Sequence, residues 1–104
     1  MLHPAKSKIA TKQKSDLLYK AILMLETEEE CYNFFQDLCT ISEMRSMEQR
    51  FEVAKLLNEG MIYNDILERI GASSATISRV NRSLLGGAGG YESILEKMKE
   101  SGEE

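Results

Sequence analysis

The chain has no tryptophan, a single proline, one histidine and only two cysteines in 104 residues. Each scarcity closes off a class of protein. Two cysteines, Cys31 and Cys39, cannot build a disulfide scaffold and have no partners at metal-ligand spacing, so both read as buried thiols. His3 lies alone near the start, which supports neither a zinc site nor a Cys-His catalytic pair, and no metal is expected. No apolar run reaches the length of a membrane span. The N-terminal stretch has lysines without an apolar signal core, so a cytoplasmic protein with no membrane partner is expected. The length suits one domain with a modest core. Six methionines supply adaptable apolar packing, in the core or at a subunit interface.

The net charge of −4 argues at first against nucleic acid, but its distribution is uneven. Residues 1–15 carry four lysines and no acid. Residues 16–60 hold ten acids and four bases, residues 61–90 are at +1, and the remainder is at −3. A molecule polarised in this way can present a basic face and turn its acidic body away from phosphate. Few phosphate contacts imply modest non-specific affinity and a shallow salt dependence.

The segment YNDILERIGASSATISRVNRSL, residues 63–84, carries the strongest signal. Ile66 and Ile70 put an apolar stripe on one short helix, and Ala72, Ile77 and Val80 continue it beyond a corner at Gly71. Gly71 can take positive φ without a Cβ penalty, and Ser73 can cap the second helix. Ser74, Ala75, Ser78, Arg79 and Arg82 are then left facing outward. This is the spacing of a helix-turn-helix, whose second helix enters the DNA major groove. The alternative is an ordinary helical hairpin with a wet face. The exposed composition favours DNA, since no acid lies between Gly71 and Gly86 in an otherwise acid-rich chain.

The rest of the pattern is all-α, with about six helices and no alternating strand run. Residues 1–14 read as a flexible Lys-rich arm that either touches DNA backbone or simply solubilises the chain. A single helical domain is expected over 15–100, with a tail at 101–104. A first helix is predicted over Ser15–Glu26, apolar around most of its circumference and so buried on more than one side. Thr27 with Glu30 forms a capping-box signature for a second helix through Leu38, with acids in its first turn. Thr40 or Ser42 caps a third, running to about Asn58 and stopped by Gly60; Met44, Met47, Phe51, Ala54 and Leu57 or Leu56 form its stripe. Gly86–Gly90 is a loose hinge before a last helix over Tyr91–Lys99. It is not a phosphate loop, because no strand precedes it and no Lys-Ser or Lys-Thr follows.

The segments LCTISEMRSMEQRFEVAKLLNEG and ERIGASSATISRVNRSL, with the terminal helix, resemble the tryptophan repressor (TrpR) superfamily over roughly Asp37 to Lys99. Within it they are most similar to the TrpR-related YerC/YecD group, on GAS-ATISRVNR followed by Gly-rich residues and GGY. The resemblance implies an intertwined all-helical homodimer, with the first, second, third and last helices forming a shared core. Two-fold symmetry would place the reading helices about 34–36 Å apart on a palindromic operator.

The resemblance also implies a ligand pocket. The two arginines that flank the corepressor indole correspond to Arg50 and Arg79, and other pocket positions to Thr40, Thr76 and Ser83. The glycine that lets the indole lie flat is replaced by Val80, and apolar positions become Asp37 and Cys39. Tryptophan is therefore not expected to bind tightly. Val80 is expected to fill the space that the corepressor fills elsewhere, and no cofactor is implied. For DNA, the resemblance places Ser74, Ala75 and Ser78 at base edges, with Ser73 and Thr76 at the same leading end. The family reads largely through ordered water. The repressor's first-helix arginine corresponds to Asn64 or near it, so that guanine contact is not expected. Arg82 suits a phosphate, and Arg79 either a phosphate or a ligand anion.

Three functions are compatible with these residues. The leading one is a homodimeric, sequence-specific transcriptional regulator binding double-stranded DNA, most simply a repressor and independent of tryptophan. The others are a protein-interaction module that keeps the fold without DNA, and a regulator with its pocket reshaped for another amino acid or anion. No nucleophile–base pair, metal cluster or carboxylate dyad points to an enzyme.

Overall fold

The computed structural model describes residues 15–103; the Lys-rich segment 1–14 and His3 lie outside them. Among the described residues there are six helices and no strand: α1 Asp16–Ile22, α2 Glu28–Leu38, α3 Ile41–Asn58, α4 Tyr63–Ile70, α5 Ser74–Gly86 and α6 Gly90–Ser101. They fall into two compact units, one ending at Leu38 and the other beginning at Cys39.

In the first unit, α1 is shorter than its apolar pattern suggests. It stops at Ile22, and the N–H groups of Leu23, Met24 and Leu25 bond back to Tyr19, Ala21 and Ile22 in a closing turn. The apolar run Leu23–Leu25 thus belongs to the turn and not to the helix. Neither α1 nor α2 contains a buried residue, and Leu17 and Leu23 are 81% and 83% exposed. The expected burial on several sides is not met within one chain. At the start of α2, the Thr27 hydroxyl accepts from the Glu30 N–H at 3.0 Å. The Glu30 carboxylate reaches back to the N–H of Glu26, one residue earlier than a closed capping box requires.

The second unit begins with a complete box. Thr40 Oγ1 accepts from Glu43 N–H at 3.0 Å and Glu43 Oε1 accepts from Thr40 N–H at 2.8 Å, which settles the start of α3 at Thr40 and not Ser42. At its other end Gly60, at φ 95°, lets the N–H groups of Gly60 and Met61 fold back onto Leu57 and Leu56, both at 3.0 Å. That is the Schellman closure a left-handed residue permits. One surface ion pair, Lys55–Glu59 at 2.6 Å, spans the last turn and adds little to stability.

The core of this unit joins Val53, Ala54 and Leu56 of α3 to Ile66 of α4, Ala72 of the corner, and Ile77 and Val80 of α5. Val53, Ala54, Ile66 and Ile77 are fully buried. The observed α3 stripe differs from the expected one: Val53 lies inside, Phe51 and Leu57 are half-buried, and Met47 is exposed. Phe51 meets Tyr91 with ring centroids 6.3 Å apart, tying α6 to α3, and Leu95 is buried one turn on. The glycine-rich connector is only Gly87–Gly89, because α5 runs to Gly86 and α6 starts at Gly90. Cys31 and Cys39 are free thiols, half-buried in place of the expected full burial.

Truncating Ile66 or Ile77 to alanine leaves a cavity at the point where α4 and α5 meet α3. The expected loss is about 2–5 kcal/mol of unfolding free energy, measurable by urea denaturation. The exposed Met47→Ala change is expected to cost far less.

Candidate nucleic-acid interface

The corner between α4 and α5 is built as the sequence requires. Gly71 sits at φ 80°, with its N–H on the Leu67 carbonyl at 2.9 Å, and ends α4 in the left-handed conformation. A Cβ there would meet nothing within 4 Å, so only backbone strain demands glycine. Ala72 is buried beneath the corner. Ser73 then takes an extended conformation, and its Oγ accepts from Thr76 N–H at 3.1 Å. The Ser73 hydroxyl also donates to Thr76 Oγ1 at 3.0 Å. This reciprocal pair fixes the first turn of α5.

With Ile77 and Val80 turned into the core, the outer face of α5 is determined. Ser73, Ser74, Ala75, Arg79 and Arg82 are exposed, Ser78 is half-buried between them, and Thr76 is half-buried on the flank. Residues 74, 75, 78 and 82 recur at three- and four-residue spacing, so they share one surface. No acid occurs on α5, and the positive end of its dipole lies at Ser74. Asn64 is exposed in the first turn of α4, and the α4 N-cap, Ile62, gives no side-chain hydrogen bond. The outward face of α5 therefore carries small polar residues, with arginines further along and no acid, on a helix anchored by Ile77 and Val80.

Three of the six expected pocket residues come together. Arg50 of α3 and Thr76 and Arg79 of α5 line an open cavity of about 210 Å³, with Ser46 and Gln49 completing it. Ser46 and Gln49 carry no sequence signal beyond position: Ser46 precedes Arg50 by one helical turn on the same face. Thr40, Val80 and Ser83 do not line this cavity. Thr40 spends its hydroxyl on the α3 cap, Val80 is 1% exposed within the core, and Ser83 is exposed, its backbone carbonyl accepting from Gly87 N–H at 2.9 Å. Asp37 is exposed on α2, and Cys39 is half-buried just before α3. Among the described residues the only ion pair is Lys55–Glu59, so neither Arg50 nor Arg79 is neutralised by a carboxylate there. No helix among them is long and apolar enough to cross a membrane.

A short helix, a glycine corner and a capped second helix with an outward polar face define a helix-turn-helix domain. The model of the Trp repressor protein family matches residues 13–99, and the chain belongs to that family. It is 52% identical over 86 residues to YerC of Bacillus subtilis (strain 168), an uncharacterized protein, covering 83% of each chain. Its fold is similar to a crystal structure of a candidate Trp repressor from Staphylococcus aureus, with a TM-score of 0.81 and 48% identity, covering 88% of this chain and 93% of that one. A TrpR-like protein from Eubacterium eligens is equally similar in fold, at TM-score 0.81 and 51% identity, covering 86% and 95%. The Trp-repressor-like all-α fold expected from the residues is thereby shown.

Ser73→Ala removes the acceptor for Thr76 N–H and is expected to destabilise by about 0.5–2 kcal/mol. Gly71→Ala is expected to cost about 1–2 kcal/mol through φ alone. Thermal melts followed by circular dichroism check both. A loss at Gly71 much larger than at Ser73 would point to a hidden steric demand at the corner.

Proposed function

We propose that the protein is a sequence-specific DNA-binding transcriptional regulator, non-enzymatic, that acts as a homodimer on a palindromic site and does not require tryptophan. The observation that carries this reading is the division of α5: Ile77 and Val80 hold it in the core, while Ser74, Ala75 and Arg82 stand exposed on a helix that contains no acid. Ser74, Ala75 and Ser78 are the base-facing residues, small enough for close approach and for readout through ordered water. Arg82 serves a backbone phosphate. Asn64, on α4, flanks the same surface.

The dimer is supported by the apolar residues that one chain leaves uncovered. Leu17, Tyr19 and Leu23 of the α1 region and Tyr32 and Leu38 of α2 are all half exposed or more, apolar surface that a second copy of the chain would cover. Independence from tryptophan is supported by the cavity lining. The two arginines that flank the indole in the family are present, but the rest of the lining, Ser46, Gln49 and Thr76, is polar and adds no apolar or aromatic side chain. Val80, which the resemblance places where the family has glycine, lies inside the core.

Selection from random duplexes by gel shift, at low and moderate salt, is expected to return a palindromic consensus, and added tryptophan is expected to leave its affinity unchanged. Arg82→Gln should weaken specific and random duplexes alike. Ser74→Ala and Ser78→Ala should instead change the selected sequence, each base-pair preference being worth about 1–3 kcal/mol. Failure to retain any duplex at low salt would overturn the reading in favour of a protein-interaction module.

A further inference from the structure

Two larger cavities in the second unit have mixed charge. One, of about 350 Å³, is lined in part by Lys55 and Lys99 but also by Glu59 and Glu103; the other, of about 450 Å³, sets Lys55 and Arg69 beside Glu52. The cavity between α3 and the leading half of α5 differs. Its five lining residues include two arginines, two hydroxyls and an amide, and no carboxylate. The side chains three and four positions from Arg50 on α3 are Ser46, Met47, Val53 and Ala54, and those from Arg79 on α5 are Ala75, Thr76, Arg82 and Ser83. Neither arginine therefore has an acid within one turn on its own helix face, and Glu43, two turns before Arg50, accepts from the Thr40 N–H.

Two uncompensated guanidiniums around one open cavity form an oxyanion seat, because each presents a planar fork of donors that matches phosphate geometry. Thr76 adds to it. Its Oγ1 already accepts the Ser73 hydroxyl proton at 3.0 Å, which leaves its own proton free to donate into the cavity. Ordinary phosphate chemistry is satisfied, and the source of the phosphate follows from where the seat lies. Thr76 and Arg79 belong to α5 itself, on the flank beside the base-facing residues 74, 75 and 78. A helix lying in the major groove has its flanks against the sugar–phosphate walls.

We infer that the Arg50–Arg79 cavity is a seat for a backbone phosphate of the bound duplex, and that Arg50, outside the helix-turn-helix, is a DNA-binding residue. This rests on the DNA-binding reading above. It gives α3 a direct part in docking: Arg50 reaches the backbone from the scaffold, so one phosphate is gripped by two helices and fixes their angle to the groove. It also assigns the two arginines to the operator in place of a small ligand.

The test measures duplex affinity across a salt series for the full-length protein and for Arg50→Gln, Arg50→Lys and Lys97→Gln. Lys97→Gln removes the same charge from the exposed face of α6. Arg50→Gln is expected to weaken specific and random duplexes alike, by about tenfold or more. It should also make the slope of log affinity against log salt shallower by about one for each phosphate that Arg50 neutralises. Arg50→Lys should keep the slope and lose part of the affinity, and Lys97→Gln should leave both unchanged. Circular dichroism melts confirm that each variant is folded. Inorganic phosphate, tested at constant ionic strength, is expected to compete with duplex. If phosphate instead raises duplex affinity, the seat takes a free anion and the inference is overturned. An Arg50→Gln slope equal to that of the unsubstituted protein, while Arg82→Gln lowers it, overturns the seat and leaves DNA binding standing. Absence of duplex binding by the unsubstituted protein overturns the functional reading itself.

Discussion

Everything that α5 can present depends on the packing of Ile77 and Val80 with Val53 and Ile66. These four are the largest fully buried side chains among the described residues, and they come from three different helices. Burying each is worth roughly 1.5–3 kcal/mol, which is large against the net stability of so small a unit. Because α5 has a period of 3.6, fixing residues 77 and 80 inward leaves no freedom in which residues face outward. Turning the helix by one position would bury Ser78 and expose Ile77. The outward set of Ser74, Ala75 and Arg82 is thus a consequence of packing, and its rigidity is the rigidity of the core.

The corner works at a smaller energy scale. Gly71 and the Ser73 cap each contribute on the order of 1 kcal/mol, too little to hold two helices against a third but enough to decide where α5 begins. The coupling of Ser73 to Thr76 extends that control. The hydroxyl that starts the helix also orients a lining residue of the Arg50–Arg79 cavity. Helix register and cavity geometry share one hydrogen-bonded pair.

How much of this is legible in the residues alone varies with the kind of signal. The helix-turn-helix is fully readable, since Ile66, Gly71, Ala72, Ser73, Ile77 and Val80 each obey a local rule that agrees with the tertiary structure. The end of α1 is not. Leu23, Met24 and Leu25 look helical by composition, yet no glycine or proline marks the stop at Ile22, and the turn is set by backbone bonding that no side chain announces. Gly86 and Gly90 look like loop because glycine is a poor helix former, but each sits at a helix terminus, where that penalty is small. Val53 is hidden because periodicity through Met47 and Phe51 fits an adjacent stripe equally well. The pocket is legible only in part. Arg50, Thr76 and Arg79 converge, whereas Thr40 is committed to a cap and Val80 to the core, roles visible only once the hydrogen bonds and burial are known.

The acidic balance of the chain constrains how such a surface can bind. With two arginines and no lysine, α5 itself would attract a duplex only weakly at long range. Affinity must then come from interactions made at short range, where a few well-placed donors count for more than many diffuse charges. On the DNA-binding reading, small residues at the leading end of α5 would serve that need, because serine and alanine would let the helix backbone approach base edges more closely than long side chains. Such close approach would tolerate little misalignment, so α5 could not be loosely attached. A sparse, close-fitting interface and a tightly buried Ile77 and Val80 are therefore two requirements of one arrangement, and weakening the second would blunt the first even with every exposed residue unchanged.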